Sequence, residues 1–361
     1  MPKNKQPAFS TFAKIFGHIS TKDKVMFARH TNVMLKAGLS LSQALKILID
    51  QNPNPNFKKI LQNIKTELEQ GQSFAKSLAK YPKVFSPFFI NIVNVGEASG
   101  KLEESLNHLA KKLQKDYELI NKIRGAMMYP SIILTVMITA VMLMIIYVLP
   151  QLVDIFKEIN VPLPWTTRTI IALSDIIQKF GLYILFGLAS VVGLLVLAFR
   201  SKSGKMVFHR FFLKLPIIAS ILKEIDLAKF ARTLNTLLIS GVPIIKSFEI
   251  TSEVVGNVLY KKAIFEATSF LKKGVKIIDT LEKKPKLFPP LVCQMIAVGE
   301  ETGSLDKILA DLADFYEKEV TRTMDNLASI IEPVLLIILG LGVAIIALSV
   351  FSPIYSLVEQ I

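Results

Sequence analysis

Three stretches of the chain carry no Asp, Glu, Lys or Arg and are almost wholly apolar: 125–153, 180–199 and 333–358. A helix needs about 20 apolar residues to cross a bilayer, so each is long enough to span one. The pattern predicts three transmembrane helices, at 131–150, 180–199 and 333–353. Burying three such runs inside a soluble core would need far more surrounding chain than 361 residues supply.

Between these runs the apolar positions recur with the helical period. Val25 to Leu35 places Phe27, Thr31, Met34 and Leu35 along one face, with Ser20 and Asp23 spaced as a capping box ahead of it and Gly38 as its stop. Leu41–Ile49, Phe57–Leu68, Phe74–Leu78, Phe88–Val95 and Leu102–Ile123 read as further amphipathic helices, divided by Pro53, Pro55, Gly71, Pro82 and Gly96. Strand-like alternation is absent. The predicted class is an all-α membrane protein, with two bundles of about six helices each and three transmembrane helices.

The two bundles follow from an internal repeat. An offset of 203 residues aligns 27–150 with 230–353 without a gap, giving about 29 identities in 124 positions. Phe27-Ala28-Arg29 meets Phe230-Ala231-Arg232, Gly38 meets Gly241, and Pro82-Lys83 meets Pro285-Lys286. The densest block sets Val95-Gly96-Glu97-Ala98-Ser99-Gly100-Lys101-Leu102 over Val298-Gly299-Glu300-Glu301-Thr302-Gly303-Ser304-Leu305. Pro130 and Pro333 coincide at the start of a span, Pro150 and Pro353 at its end. Each unit is thus a domain of about 110 residues followed by a span, and the unmatched span 180–199 returns the chain between them.

Charge orients this arrangement. Lys and Arg number 43 against 29 Asp and Glu, a formal +14. Residues 1–130 carry 20 basic and 9 acidic side chains, 200–332 carry 20 and 16, and the loop 154–179 is neutral. The positive-inside rule places both large segments in the cytoplasm. The expected layout is an N-terminal segment at 1–20, a cytoplasmic helical domain at 21–130, a span at 131–150 and an external loop at 151–179. A second span at 180–199, a second cytoplasmic domain at 200–332, a third span at 333–353 and an external tail at 354–361 complete it. Residues 1–30 hold no apolar run of the kind a signal peptide needs. The basic excess lacks zinc-finger spacing and an RNA-recognition signature, so attraction to anionic membrane lipid accounts for it better than nucleic acid does.

Catalytic patterns are missing. No Gly-x-x-x-x-Gly-Lys-Ser/Thr phosphate loop and no Gly-x-Ser-x-Gly elbow occurs, and His18, His30, His108 and His209 stand apart without metal-ligand spacing. The single cysteine, Cys293, excludes an internal disulfide framework. Ionisable groups, which ion-coupled transporters keep at membrane depth, are absent from all three spans, where Thr135, Thr139 and Ser190 are the modest polar candidates for a channel. Small residues four apart, Ala189 with Gly193 and Gly340 with Ala344, suit close helix packing. The sharpest polar feature is the pair Glu97 and Glu300, each after a glycine (Gly96, Gly299) and before another (Gly100, Gly303), read as a short turn ahead of a helix. An acid beside a helix N-terminus explains it, as does a contact to a partner protein or a bound cation.

With these residues in view the chain resembles the inner-membrane platform proteins of type II secretion systems and type IV pilus machines, the type II secretion F-domain family. The resemblance runs from about Phe27 to near the end. It rests on FARHTNVMLKAGLSLSQAL and FARTLNTLLISGVPIIKSF, on VGEASGKL and VGEETGSL, on Tyr129-Pro130 and Glu332-Pro333, and on Leu215-Pro216. It implies a non-enzymatic, multipass protein of the bacterial inner membrane, N-terminus cytoplasmic and C-terminus external, that acts as a scaffold coupling a cytoplasmic hexameric ATPase to pilin or pseudopilin extraction. Partners implied are that ATPase, pilin subunits, other inner-membrane components of the machine, membrane lipid and further copies of the chain. A competence pilus that takes up DNA has the same domain pattern and is the alternative, with a small-molecule transporter behind it. Some members hold calcium between cytoplasmic domains through the acid of the Gly-Glu turn, here Glu97. The matching partner positions hold Gln43, uncharged, and Lys101, of the wrong sign, so no metal and no cofactor is expected. The residues singled out for structure or interaction are Gly38, Gly96, Glu97, Gly100, Pro130, Gly241, Gly299, Glu300, Gly303 and Pro333.

Overall fold

In the computed structural model, residues 19–148 and 216–358 are described, together with positions 180, 183, 187, 190 and 193. Residues 1–18 of the expected N-terminal segment, the loop 151–179, all but isolated positions of the span 180–199 and residues 200–215 of the expected second cytoplasmic domain lie outside the described residues. Among the described residues every regular element is a helix. The first six are α1 (Thr21–Lys36), α2 (Leu41–Gln51), α3 (Pro55–Glu69), α4 (Phe74–Ala79), α5 (Pro87–Ala98) and α6 (Leu102–Leu143). A π-helical turn, Met144–Val148, follows α6. Six more are α7 (Pro216–Ile239), α8 (Ile244–Val254), α9 (Val258–Leu271), α10 (Ile277–Leu281), α11 (Pro290–Thr302) and α12 (Leu305–Val358).

Local chemistry sets the early boundaries. Ser20 accepts from the Asp23 amide at 3.1 Å while the Asp23 carboxylate accepts from the Ser20 amide at 2.8 Å, the reciprocal box that starts α1. At its end Gly38 adopts φ +83°, and the amides of Gly38 and Leu39 donate back to the carbonyls of Leu35 and Met34 at 2.9 and 3.1 Å. Only glycine takes that left-handed conformation without penalty, which is why the chain turns there.

The chain forms two compact units. One comprises Met1–Asn121 with Phe212–Val320, the other Lys122–Phe211 with Thr321–Ile361. The first unit holds two apolar clusters. In one, Phe27 is ringed by Phe57, Phe74, Phe85 and Phe89 with centroids 5.6–6.5 Å away. In the other, Phe230 and Tyr260 meet Phe288 edge-on at 5.5 and 5.4 Å.

The second unit contains the apolar continuations of α6 and α12. Among the described residues, Leu102–Leu143 and Leu305–Ala344 are two helices long and apolar enough to cross a membrane, and hardly any of their most apolar stretch is buried. Both run further than the pattern predicts. The pattern reads Pro130 and Pro333 as the starts of spans, the first after a helix ending at Ile123, and α6 and α12 continue through both prolines. An interior proline removes one backbone hydrogen bond, a cost that a long helix fixed at other points absorbs. Two of the modest polar candidates for a channel, Thr135 and Thr139, donate to the carbonyls one turn back, of Ser131 and Thr135, at 2.7 and 2.8 Å. The Lys122 ammonium lies 2.8 Å from the Asp325 carboxylate near the start of this unit.

Candidate functional site

The Gly-Glu segments are helical, not turns. Glu97 sits in the last turn of α5 and Glu300 in that of α11. The sequence reading placed the acid ahead of its own following helix, whereas the structure aims it at a different one. The Glu97 carboxylate accepts from the amides of Phe74 and Ala75 at 2.6 and 2.9 Å, the first turn of α4. Glu300 accepts from the Ile277 amide through both oxygens at 3.0 Å, at the start of α10. The orphan donors of a short helix are thus satisfied by a carboxylate 22 to 23 residues away in sequence. Spacing alone does not reveal this pairing, because the acceptor belongs to a helix earlier in the chain.

The flanking glycines have separate tasks. A Cβ on Gly96 would lie 2.4 and 2.5 Å from the Oγ and Cβ of Ser105, and one on Gly299 would lie 3.0 Å from Leu305 Cα and 3.1 Å from Ile308 Cγ1. Both glycines therefore permit the closest approach of α5 to α6 and of α11 to α12. Neither has a positive φ, so close packing rather than backbone freedom explains them. Gly100 and Gly303 do have positive φ, +70° and +66°, and turn the chain from one helix into the next. Lys101 and Ser304 then donate their amides to the carbonyls of Gly96 and Gly299 at 2.8 and 3.0 Å. Glu97, Gly96 and Gly100 thus build one elbow, and Glu300, Gly299 and Gly303 its counterpart. Gly38 and Gly241 lie in separate turns, and Pro130 and Pro333 in the long helices.

Both Glu97 oxygens are taken by backbone amides, and Gln43 accepts from the Ser40 amide at 2.9 Å as the cap of α2. Among the described residues no group of three or more His, Cys, Asp or Glu side chains could hold a metal ion.

The sequence reading missed an ionic cluster. Arg232 on α7 donates through Nε and Nη2 to the two Glu317 oxygens at 2.8 and 3.0 Å, and through Nη2 also to Asp314. Lys115 of α6 lies 3.7 Å from the same Glu317. A trace was present in the repeat, since Arg29 and Arg232 coincide while Lys111 and Gln114 stand where the second copy has Asp314 and Glu317.

Against known families, the model described as type II secretion system protein F matches the chain twice, at residues 27–150 and 230–353. The chain belongs to this family. Curated relatives are similar over most of the chain. The type IV pilus assembly protein PilC of Myxococcus xanthus is 35% identical over 346 residues, 96% of this chain and 83% of the relative. That of Thermus thermophilus is 36% identical, over 93% of this chain and 83% of the relative. The type II secretion system protein F of Aeromonas hydrophila is 30% identical, over 94% and 87%. The bounds of the two matched segments differ by the same 203 residues as the internal repeat, and the segments include both elbows.

Proposed function

We propose that this protein is the inner-membrane platform of a type II secretion or type IV pilus assembly machine. The observation that carries the reading is the double family match on a chain whose α6 and α12 each run from a packed helical unit into an apolar, membrane-length stretch. The chain is a tandem duplication with cytoplasmic helical domains at 21–130 and 200–332 and spans at 131–150, 180–199 and 333–353. Its N-terminus faces the cytoplasm and its C-terminus the outside. The protein carries no phosphate loop of its own, so the energy for pilin or pseudopilin extraction comes from a hexameric ATPase docked on the cytoplasmic domains. Pilin transmembrane helices meet the spans. The elbows around Glu97 and Glu300 are structural joints that set the angle between each bundle and the helix leading to the membrane.

In-cell crosslinking of the tagged chain, followed by mass spectrometry of the extracted complex, tests this. Crosslinks from 21–130 or 200–332 to a secretion or pilus ATPase, and from the spans to pilin, are the expected result. A dense crosslink set with neither partner overturns it.

A further inference from the structure

The double match gives each residue of 27–150 a counterpart 203 positions on, and within the first compact unit the two segments touch through unlike surfaces. The second segment contributes an inserting face: Leu237 of α7, Val242 of the following turn and Ile250 of α8 are all buried in the apolar cluster of the first segment. The first segment contributes a receiving face on α5 and α6. A Cβ on Gly241 would lie 3.6 Å from Val95 Cγ1, and Glu253 and Val254 share a cavity of about 280 Å³ with Phe88, Lys112 and Leu113. A contact between like segments that uses different faces leaves one face of each kind unused.

Both unused faces are on the surface of this unit. Phe88 is 2% exposed, but its counterpart Leu291 is 44% exposed; Lys112 is 4% exposed, but its counterpart Phe315 is 44% exposed. Val298, the counterpart of Val95, is 52% exposed. Three large apolar side chains therefore stand in solvent on α11 and α12 at the positions that are covered in the first segment. The unused inserting face is on the turn from α1 to α2 and on α2, where Leu39 and Ile47 are half-buried counterparts of the buried Val242 and Ile250, while Met34, the counterpart of Leu237, packs partly against the first segment's own cluster. Exposed Val33 stands beside them at the position of buried Thr236. Charge favours the match, since exposed Arg29 and Lys36 border the inserting face while exposed Glu301 and Asp311 border the receiving one.

We propose that these faces meet between copies: the α1–α2 face of one chain seats on the α11–α12 face of a second copy, repeating the internal contact head to tail. The inference rests on the tandem duplication put forward above and names one of the platform's partners as the chain itself. Copies held in one bilayer share the membrane normal, so successive contacts are related by rotation about that axis, and the assembly is a ring when that rotation closes.

The test uses the full-length chain in membranes, in a Cys293→Ala background. Leu39→Cys is placed on one tagged copy and Val298→Cys on a differently tagged copy, matching the internal approach of the Gly241 turn to Val95. With a short bis-maleimide, a mixed dimer is expected only when both copies are co-expressed. A chain bearing both substitutions should give a ladder that stops at a finite size. Adding Phe315→Asp, an exposed change that the fold tolerates, should abolish the mixed dimer. Overturning results are no mixed dimer, dimers from either single variant alone as a symmetric contact gives, or a mixed dimer insensitive to Phe315→Asp. The platform reading is scored separately: ATPase crosslinks without the mixed dimer reject this inference and keep that reading, and the mixed dimer without ATPase does the reverse.

Discussion

The two repeats, matched to one family model over 27–150 and 230–353, start their helices by different means. In the first segment Ser20, Ser40, Asn54, Ser73 and Ser86 each cap a helix with their own side chains. At the corresponding positions the second has Lys223 inside a continuous α7, then Pro243, Asn257, Lys276 and Pro289, of which only Asn257 provides a side-chain cap. What the second segment has instead is tertiary: Arg232 bound to Asp314 and Glu317, and Asn235 donating to the Asp306 carbonyl at 2.7 Å. The first segment writes its helix boundaries locally, while the second depends on contacts made after the helices pack. The same fold thus tolerates loss of caps worth about 1 kcal/mol each where side chains from distant elements take over.

The largest effect should come from the joint both segments share. Gly96→Val forces a side chain into Ser105 and should destabilise by about 4 kcal/mol or prevent folding, whereas Gly299→Val, whose nearest neighbours are at 3.0 and 3.1 Å, should cost about 2 kcal/mol. Thermal unfolding of the full chain in detergent measures both. Equal losses would show that the two elbows are packed alike.

Next in size is Asp226, the counterpart of Asp23. Asp23 closes the capping box of α1, but Asp226 lies buried within α7, where burial pushes its carboxyl from 3.8 up to about 6, against the pull of Lys229 and hydrogen bonds from Asn257. Because folding raises this pKa, the contribution to stability is full below about pH 4 and is lost as pH rises through 6. Asp226→Asn should therefore stabilise the protein by about 3 kcal/mol at pH 7.5 and by little at pH 4. Unfolding midpoints of the variant and wild type that stay parallel from pH 4 to 7.5 would remove Asp226 as the source.

The helical class, the starts of most helices in the first segment and the offset of 203 were legible, because capping boxes and the 3.6 period are local signals, whereas α5 and α6 run past the ends read for them. The Phe74 helix was readable from its own residues, but not that Glu97 caps it, since a side chain approaching from 22 to 23 residues later leaves no periodic trace. Gly96 read as a turn glycine for a similar reason: its requirement is set by Ser105 on the neighbouring helix, which no spacing rule reports. The continuation of α6 through Pro130 was hidden because proline scores as a breaker locally, while the helix is fixed by what lies on both sides.

A smaller effect separates the two caps. Removing Glu97 leaves Ser73, which still accepts from the Lys76 amide at 3.3 Å and caps α4. Removing Glu300 leaves the buried Ile277 amide with no side-chain acceptor, because Lys276 provides none. Glu300→Ala should cost about 2 kcal/mol and Glu97→Ala about 1 kcal/mol. Amide exchange should accelerate more over Ile277–Leu281 than over Phe74–Ala79, and the opposite order would break the comparison.

The smallest expected effect concerns Arg29 and Arg232, one residue type at matched positions with unlike surroundings. Arg29 is exposed, and the positions matching the two acids of Arg232 hold Lys111 and Gln114. Arg29→Gln should change stability by less than about 0.5 kcal/mol. Arg232 is mostly covered and grips Glu317 with two parallel bonds, a geometry that holds its value better than a single exposed pair. Its loss also removes the two nearest charge-assisted bonds of Glu317, whose Lys115 contact is more distant at 3.7 Å. Arg232→Gln should therefore cost about 1 kcal/mol at low ionic strength, and the cost should shrink as salt screens the acids exposed at its rim. The decisive measurement is the pair of stability differences at low and high salt. A cost for Arg232→Gln that persists unchanged at high salt would assign the side chain a packing role, and an equal cost for Arg29→Gln would mean the first segment finds an acidic partner outside this chain.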